Sequence, residues 1–295
     1  MTVATNRSQH RNGGGVVTSY RDAATRTTFV GNVIFAYRGL GPDTDVPVIF
    51  LTHLAAVLDN WDPRVVDGIA STHRVVTFDG RGVGASSGTT PKTIEAMADD
   101  AVAFIRALGL EQVDLLGFSM GGMIAQVIAA AEPQLVRKVI LAGTGPAGGD
   151  GITKVTRLSH LDTLRGLLML QDPKQFLFFT RTPNGRRAGK DFLARLKERT
   201  EHRDKRISLR SYGAQLKAIH RWGRQTPADL SVVHQPILVA NGESDRMVPT
   251  SNSRDLAQRL PNADLVIYPD AGHGGIFQFH DQFVARTLAF LGEGS

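Results

Sequence analysis

The sequence predicts an α/β fold built on a mostly parallel sheet, and three observations predict it. Short, continuous apolar runs recur along the chain, as they do in strands that are buried on both faces of a sheet. Segments with helical periodicity lie between these runs, which indicates alternating strands and helices. The chain has 295 residues and a hydrophobic content of 42%, which suffices for one large core.

The predicted elements begin with a β-hairpin. Two alternating runs between Thr27 and Tyr37 flank Gly31 and Asn32, a pair that suits a two-residue turn. Helices are expected around 61–70, 93–108 and 120–131. Six buried strands follow the hairpin, at 47–51, 74–78, 113–117, 138–142, 236–240 and 264–268. With the hairpin, these runs predict an eight-stranded sheet that carries helices on both faces.

One connection between predicted strands is far longer than the others. It runs from Ala142 to Pro236 and contains helix-like stretches such as FLARLKERT. Between Asp150 and Asp229 the chain carries 18 Lys and Arg against 8 Asp and Glu, a net charge of +10 within a total of +6. We predict a basic helical cap over 147–232, inserted between strands 6 and 7.

The other segments follow from the cap. Residues 17–146 and 233–295 form the predicted core, and the polar, glycine-rich residues 1–16 are predicted to be a disordered tail. Within the cap, Phe176, Leu177, Phe178 and Phe179 fit either a cap core or the lining of an apolar acyl pocket. Their spacing does not separate these two uses.

Composition argues against several classes of protein. The chain has no cysteine, which excludes disulfides and thiolate catalysis. The basic segment lacks the aromatic and glycine patterns of RNA-binding folds, so a solvated helical face is favoured over a nucleic-acid partner. No apolar run approaches the roughly 18 residues of a membrane-spanning helix, and no signal-peptide pattern is visible, so we expect a cytoplasmic protein without a membrane partner.

The sequence also argues against a metal site and a dinucleotide-binding site. No His-Glu-x-x-His pattern or other metal-ligand spacing is present, so no metal is expected. Gly143, Gly145 and Gly148 formally satisfy Gly-x-Gly-x-x-Gly, but a dinucleotide fingerprint opens a helix early in the fold. A flexible lead into the cap explains these glycines better, and no cofactor is expected.

The stretch LLGFSMGGM, from Leu115 to Met123, contains the pattern Gly-x-Ser-x-Gly between a predicted strand and a predicted helix. A serine in this context lies on a sharp turn that exposes its Oγ. Side chains two residues before and after it would collide across the turn, which explains Gly117 and Gly121. The helix N-terminus favours negative charge nearby, so Ser119 is a candidate nucleophile.

With this motif the chain resembles the α/β-hydrolase family, in particular its cap-bearing esterase, lactonase and haloperoxidase-like branch. The similarity covers nearly the whole chain after Thr27. It also involves the segments VIFLTHLAAVLDNWD, RVVTFDGRGVGASS, LVANGESDRMVP and YPDAGHG, in the expected order. The resemblance implies a triad of serine, acid and histidine in that chain order. It also implies a cap between the sixth and seventh strands, where the long connection lies.

The resemblance implies the other two members of the triad. A serine hydroxyl needs a histidine base that a carboxylate orients. His273 lies in PDAGHGG, directly after the last predicted strand, where the family carries its base. Asp245 matches the family's Gly-x-x-Asp-x-x-Val-Pro loop, and Glu243 is the alternative carboxylate. Asp79, in FDGRGVG, is instead expected to tie down the backbone of a loop.

The oxyanion hole implied by the resemblance uses two backbone N–H groups. Met120, directly after the nucleophile, is expected to supply one. The other comes from the loop after the third strand, where this chain has His53-Leu54-Ala55 instead of the family's His-Gly-x. Ala55 occupies the donor position by register, and Leu54 stays the alternative. His53 is expected to anchor the loop rather than to act as a second base.

Together these residues predict a serine hydrolase that cleaves small-molecule carboxylic esters through an acyl-enzyme. The segment HLAAVLDNWDP resembles a loop of enol-lactone hydrolases, so a lactonase is an alternative, and a cofactor-free haloperoxidase or perhydrolase would use the same triad. Epoxide hydrolases and dehalogenases are disfavoured because Ser119 stands where they carry an aspartate. A catalytically silent receptor is the alternative from another class. The sequence leaves a homodimer open.

Overall fold

The computed structural model describes residues 19–293, so the predicted tail at 1–16 lies outside the described residues. One eight-stranded sheet runs through the molecule in the order β1-β2-β4-β3-β5-β6-β7-β8. β2 is antiparallel to β1 and β4, and all other neighbours are parallel. The strands are β1 (Arg26–Val30), β2 (Val33–Leu40), β3 (Val48–Leu51), β4 (Val75–Phe78), β5 (Val113–Phe118), β6 (Val136–Ala142), β7 (Ile237–Gly242) and β8 (Ala263–Tyr268). The predicted fold class is confirmed.

The first two strands form the predicted hairpin. Val30 pairs with Val33, so Gly31 and Asn32 make the two-residue turn. Gly31 has a φ of +59°, a left-handed conformation that glycine adopts without a steric penalty.

Ten α-helices pack on and above the sheet within the described residues. They are α1 (Pro63–Ala70), α2 (Ile94–Ala107), α3 (Met120–Ala131), α4 (Val155–Met169), α5 (Lys174–Phe178), α6 (Pro183–Arg195), α7 (Leu209–Trp222), α8 (Ser251–Arg259), α9 (Gly275–Gln278) and α10 (His280–Gly292). Three short 3₁₀ helices lie at Tyr20–Asp22, Leu58–Asn60 and Ile152–Lys154. None of the helices in residues 19–293 is long and apolar enough to cross a membrane.

The central strands are apolar throughout because both of their faces are covered. Along β5, Leu115 packs in one core cluster together with Phe104 of α2 and Ile128 of α3. The next residue, Leu116, packs in the opposite cluster with residues of α1 and α10 such as Ile69. Successive side chains of a strand point to opposite faces, so a strand between two helical layers needs an unbroken apolar run.

The cap helices α4 to α7 all lie between β6 and β7, where the fold class predicted them. The boundaries given as 147–232 stay a prediction. One local expectation is wrong: only the first half of FLARLKERT is helical, because α6 ends at Arg195. Beyond that point Arg199 turns toward the core, and its guanidinium donates to the carbonyls of Arg21 and Ala23 at 2.8 and 2.9 Å. Tertiary contacts thus end the helix before its sequence pattern does.

Candidate active site

The turn between β5 and α3 places Ser119 in a strained backbone conformation. Its φ of 56° and ψ of −114° lie outside the regions that non-glycine residues prefer. The Ser119 N–H donates to the carbonyl of Ala142 at 2.8 Å, which fixes the turn at the carboxyl ends of β5 and β6. A Cβ at Gly117 would overlap the backbone of Gly121, and a Cβ at Gly121 would overlap the carbonyl of Leu51. Both glycines are therefore required by close backbone contacts.

The structure brings the predicted base and acid together. His273 Nδ1 lies 2.7 Å from Asp245 Oδ2, and both side chains are buried. Because a carboxylate can only accept, Nδ1 carries the hydrogen, which leaves Nε2 as the free acceptor. Asp245 Oδ1 accepts from the N–H groups of Met247 and Val248 at 2.8 and 3.0 Å. Glu243 is exposed, so the geometry favours Asp245 as the partner of His273.

The loop after β3 holds one predicted oxyanion donor, the N–H of Ala55, in a tight turn. The N–H of Ala56 donates to the His53 carbonyl at 3.2 Å, and Ala55 has a φ of 63°. This is the turn position that glycine usually occupies, so the alanine is strained there. The Ala55 N–H donates to Oε1 of Gln215, on cap helix α7, at 2.8 Å. The amide selected from the sequence is thus already bonded, to a residue that sequence analysis did not identify.

The other predicted donor, the N–H of Met120, is at the start of α3. Met120 is the first residue of that helix, so its N–H has no acceptor within the helix. Its position next to Ser119 and at the positive end of the helix dipole suits it to stabilise a developing negative charge.

His53 fits the expected anchoring role. Its Nδ1 lies 2.8 Å from the Leu54 carbonyl, which can only accept, so Nδ1 carries the hydrogen. The ring packs edge-on against Phe118 and Phe178 at centroid distances of 5.4 and 5.1 Å. Burial, reinforced by the charge of Lys174, lowers the pKa of His53 to about 3, so the ring is neutral.

Asp79 holds loop backbone, as the sequence indicated. Its two carboxylate oxygens accept from the N–H groups of Leu58 at 3.0 Å and Ala85 at 3.3 Å. The Leu58 N–H is also 3.3 Å from a carboxylate oxygen of Asp204, which lies between α6 and α7. Burial, together with the Asp204 carboxyl, raises the pKa of Asp79 well above its usual value.

Ser119 and His273 line one cavity of about 260 Å³ beneath the cap. Most of its walls are apolar, including Leu177 and Phe178 of the cap. Its polar features are few. The hydroxyls of Ser159 and Tyr212 are 2.7 Å apart, and the ammonium of Lys174 lies 3.6 Å from the Asp172 carboxylate. No cluster of His, Cys, Asp and Glu that could hold a metal ion occurs in residues 19–293.

The four-residue apolar run of the cap divides between two cavities. Leu177 and Phe178 line the cavity that contains Ser119, whereas Phe176 and Phe179 line a second cavity on the other side of α5. Phe178 also connects the cap to the loop that carries His273, because its carbonyl accepts from the Gly274 N–H at 2.8 Å. Phe178 and Phe179 also pack in a core cluster with Phe192, so the segment combines core packing with cavity lining, and the acyl-pocket role stays a prediction.

The sheet topology and a serine at the strand-to-helix turn define a class of protein, the α/β hydrolases. The profile of the family described as alpha/beta hydrolase fold matches residues 46–279 of this chain. The chain therefore belongs to the α/β-hydrolase-fold family, and the resemblance drawn from its motifs is confirmed.

Individual relatives agree with this assignment. A protein of Caulobacter sp. (strain K31) assigned as the carbamate hydrolase RutD is 31% identical over 261 residues, which cover 85% of this chain and 92% of that protein. An α/β hydrolase fold protein from Chitinophaga pinensis is 39% identical, with a TM-score of 0.89, over 93% of this chain and 99% of that one. The enol-lactonase from Burkholderia xenovorans LB400 shares the fold at 23% identity, with a TM-score of 0.74 over 91% and 100% of the two chains.

Proposed function

We propose that this protein is a serine hydrolase that cleaves carboxylic esters through an acyl-enzyme. One observation carries the proposal: the strained Ser119 and the His273 ring, itself held by Asp245, line the same cavity. A serine hydroxyl is a weak nucleophile at neutral pH, and a neighbouring histidine base overcomes this weakness. The assignment of relatives as hydrolases supports the same reaction class.

The mechanism follows from the positions of these groups. Ser119 Oγ attacks the ester carbonyl carbon while His273 Nε2 accepts its proton, and Asp245 stabilises the resulting imidazolium. The imidazolium then protonates the leaving alcohol, which departs and leaves an acyl group on Ser119. Water repeats the sequence and releases the acid. The Met120 N–H, and a donor from the loop after β3, hold the oxyanion in both steps.

Gln215 constrains the second oxyanion donor. One N–H makes one strong hydrogen bond, so the Ala55 amide can bind an oxyanion only when the Gln215 oxygen leaves it. We propose that the carbonyl oxygen of the substrate displaces Gln215. The Leu54 N–H is the alternative donor if Gln215 stays in place.

The cavity favours neutral and compact substrates. Its volume is about 260 Å³, and its single ammonium, on Lys174, lies next to the carboxylate of Asp172. An extra substrate carboxylate would thus meet no unbalanced positive charge there. A compact cavity also suits a cyclic ester, and the enol-lactonase shares the fold, so lactone hydrolysis is the second candidate. Neutral esters of graded acyl length, matched with lactones, distinguish the two candidates by kcat/KM.

The test of the reaction itself is turnover by the serine and histidine variants. We expect Ser119→Ala and His273→Ala each to lower kcat by about 10⁴-fold, because members of a triad act as a unit. Circular dichroism and thermal unfolding establish that both variants fold. Wild-type protein that hydrolyses no ester or lactone on the panel would instead indicate a silent receptor.

The two candidate acids provide a matched pair. Asp245→Asn should lower kcat by about 10³-fold or more, because the amide no longer holds the His273 tautomer that serves as a base. Glu243→Gln should leave kcat within about twofold of wild type, because an exposed carboxylate two residues away does not contact the ring. Kinetics on one good ester suffice, and the reverse order of effects would show that Glu243 is the acid.

A further inference from the structure

The cap carries a second cavity, of about 580 Å³, on the side of α5 that faces away from Ser119. Five cationic side chains line it: Arg165, Arg181, Arg186, Lys190 and Lys197. None of the five forms an ion pair with a carboxylate of residues 19–293. The one carboxylate in the lining, Asp172, contacts Lys174 instead. Five like charges around one cavity repel each other, and an anion bound among them would remove that repulsion.

The same cavity has apolar walls. Met169, Phe176, Phe179 and Leu193 line it beside the cations. The guanidinium of Arg165 lies over the Phe176 ring, 4.6 Å from its centroid, so one wall presents aromatic surface and positive charge together. A small inorganic anion would leave this apolar surface in water. An anion with a hydrocarbon part would cover it.

An exposed apolar ridge continues from the cavity along α4. Six of the nine large apolar side chains that are exposed in the described residues lie within 161–170. They are Leu161, Leu164, Leu167, Leu168, Met169 and Leu170, each at least 50% exposed. Met169 belongs both to this ridge and to the cavity lining. Such a concentration of exposed large apolar side chains in one short segment is typical of a binding surface on a folded protein.

Leu170, the last residue of the ridge, does not serve the stability of the cap. It follows α4 in the left-handed conformation, with a φ of 53°, where glycine or asparagine is usually found. Its side chain is 93% exposed, so no buried contact offsets the strain. A leucine at this position costs stability, which fits a residue whose side chain contacts something outside the chain.

We propose that the outer cavity of the cap binds the anionic head of an amphiphile, a carboxylate, sulfate or phosphate, whose alkyl chain lies on the 161–170 ridge. The charge-assisted bonds come from the five cations, and the chain covers apolar surface that water now contacts. A second copy of this chain fits the face poorly, because it would bring a second set of unpaired cations against the first. The inference concerns a site separate from Ser119 and does not depend on ester hydrolysis.

Binding of monomeric decanoate, measured by calorimetry below its micelle concentration, tests the site. We expect decanoate to bind, acetate and decanol to bind at least about tenfold more weakly, and added salt to weaken decanoate. The double substitution Arg186→Glu with Lys190→Glu should raise the Kd by about tenfold or more. Arg210→Glu is the matched control, because Arg210 is an exposed cap arginine outside this cavity, and it should leave the Kd unchanged.

Leu170→Gly separates a binding role from a structural one. The substitution removes the strained side chain, so it should raise the Tm while it weakens decanoate binding. A residue that only supported the fold would show the opposite change in Tm. The Ser119→Ala protein, tested in parallel, should bind decanoate at the outer site as wild type does.

Sedimentation with vesicles identifies the source of the amphiphile. Binding to phosphatidylcholine vesicles that contain phosphatidylglycerol, but not to pure phosphatidylcholine, would support the site with a lipid surface as its ligand. Decanoate binding without vesicle binding would support it with a dissolved amphiphile. The proposal is overturned if neither probe binds, if the double variant binds both as wild type does, or if Leu170→Gly only converts a dimer into a monomer.

Discussion

The strand-to-helix turn at Ser119 and the loop at Ala55 both hold a residue in a strained backbone conformation, but different contacts stabilise them. Each holds a non-glycine residue at positive φ, 56° and 63°, and both residues line the cavity beneath the cap. At Ser119 the strain is accommodated by two glycines within two residues. At Ala55 the partner is Gln215, 160 residues further along the chain. The first site is thus determined by local steric requirements, and the second depends on the docking of the cap.

The largest effect is expected from a substitution that disrupts the Ser119 turn. Gly121→Ala places a methyl group against the Leu51 carbonyl, where backbone on both sides prevents relaxation. We expect a loss of about 3 kcal/mol in the free energy of unfolding, together with most of the activity. Urea denaturation measures the first and ester turnover the second. Gly213→Ala is the control, because a Cβ there meets nothing within 4 Å in α7, and it should raise stability by about 0.5–1 kcal/mol.

A smaller effect is expected from the contact that holds Ala55. Gln215→Leu removes the acceptor but keeps much of the volume, so the freed amide should raise kcat/KM severalfold. Gln215→Glu places a charged, stronger acceptor on the same amide and should lower kcat/KM by about tenfold near neutral pH. That loss should shrink as the pH falls and the carboxylate gains a proton. If both variants lose activity equally at every pH, Gln215 only positions the loop and does not compete with the substrate.

The smallest expected effect concerns the other anchor of this loop, the carboxyl pair at Leu58. Because the pKa of Asp79 is raised in the folded protein, its contribution to stability is intact below the unfolded value of 3.8 and is lost as the pH rises through the folded pKa. Asp204→Asn removes the like charge. It should therefore raise the free energy of unfolding by about 1 kcal/mol at pH 7, with a gain that vanishes toward pH 4.

Thermal unfolding across this pH range checks the sign of the effect. Asp191→Asn serves as its control, since Asp191 is an exposed carboxylate elsewhere in the cap. A gain that stays constant from pH 4 to pH 7 would contradict the like-charge explanation.

The sheet could be predicted closely because each central strand is buried on both faces. The run at 47–51 became β3 at 48–51, and the run at 113–117 became β5 at 113–118. The histidine loop and the Asp245 loop were visible for the same reason as the Ser119 turn: each is a short motif at the end of a predicted strand. The end of α6 was not visible, because a contact between Arg199 and the core determines it.

The cap shows most clearly what could not be predicted from the sequence. Its excess charge of +10 is a property of the sequence, and it had suggested a solvated basic face. The structure gathers five of those cations around the outer cavity of the cap. The cavity that contains Ser119 is lined by one ammonium, that of Lys174, which lies next to the Asp172 carboxylate. Helical periodicity does not determine this division, because it depends on which sides of α4, α5 and α6 face each other.

The sequence by itself determined the α/β architecture and the turn at Ser119, and its resemblance to the family predicted a triad of serine, acid and histidine in that order. These features follow from local requirements: alternation of burial, clashes at Gly117 and Gly121, and motifs within a few residues of a strand end. Only the tertiary structure decided that Asp245 rather than Glu243 contacts His273 and that Gln215 occupies the Ala55 amide. Both outcomes depend on distances between groups far apart in the chain, which packing alone establishes.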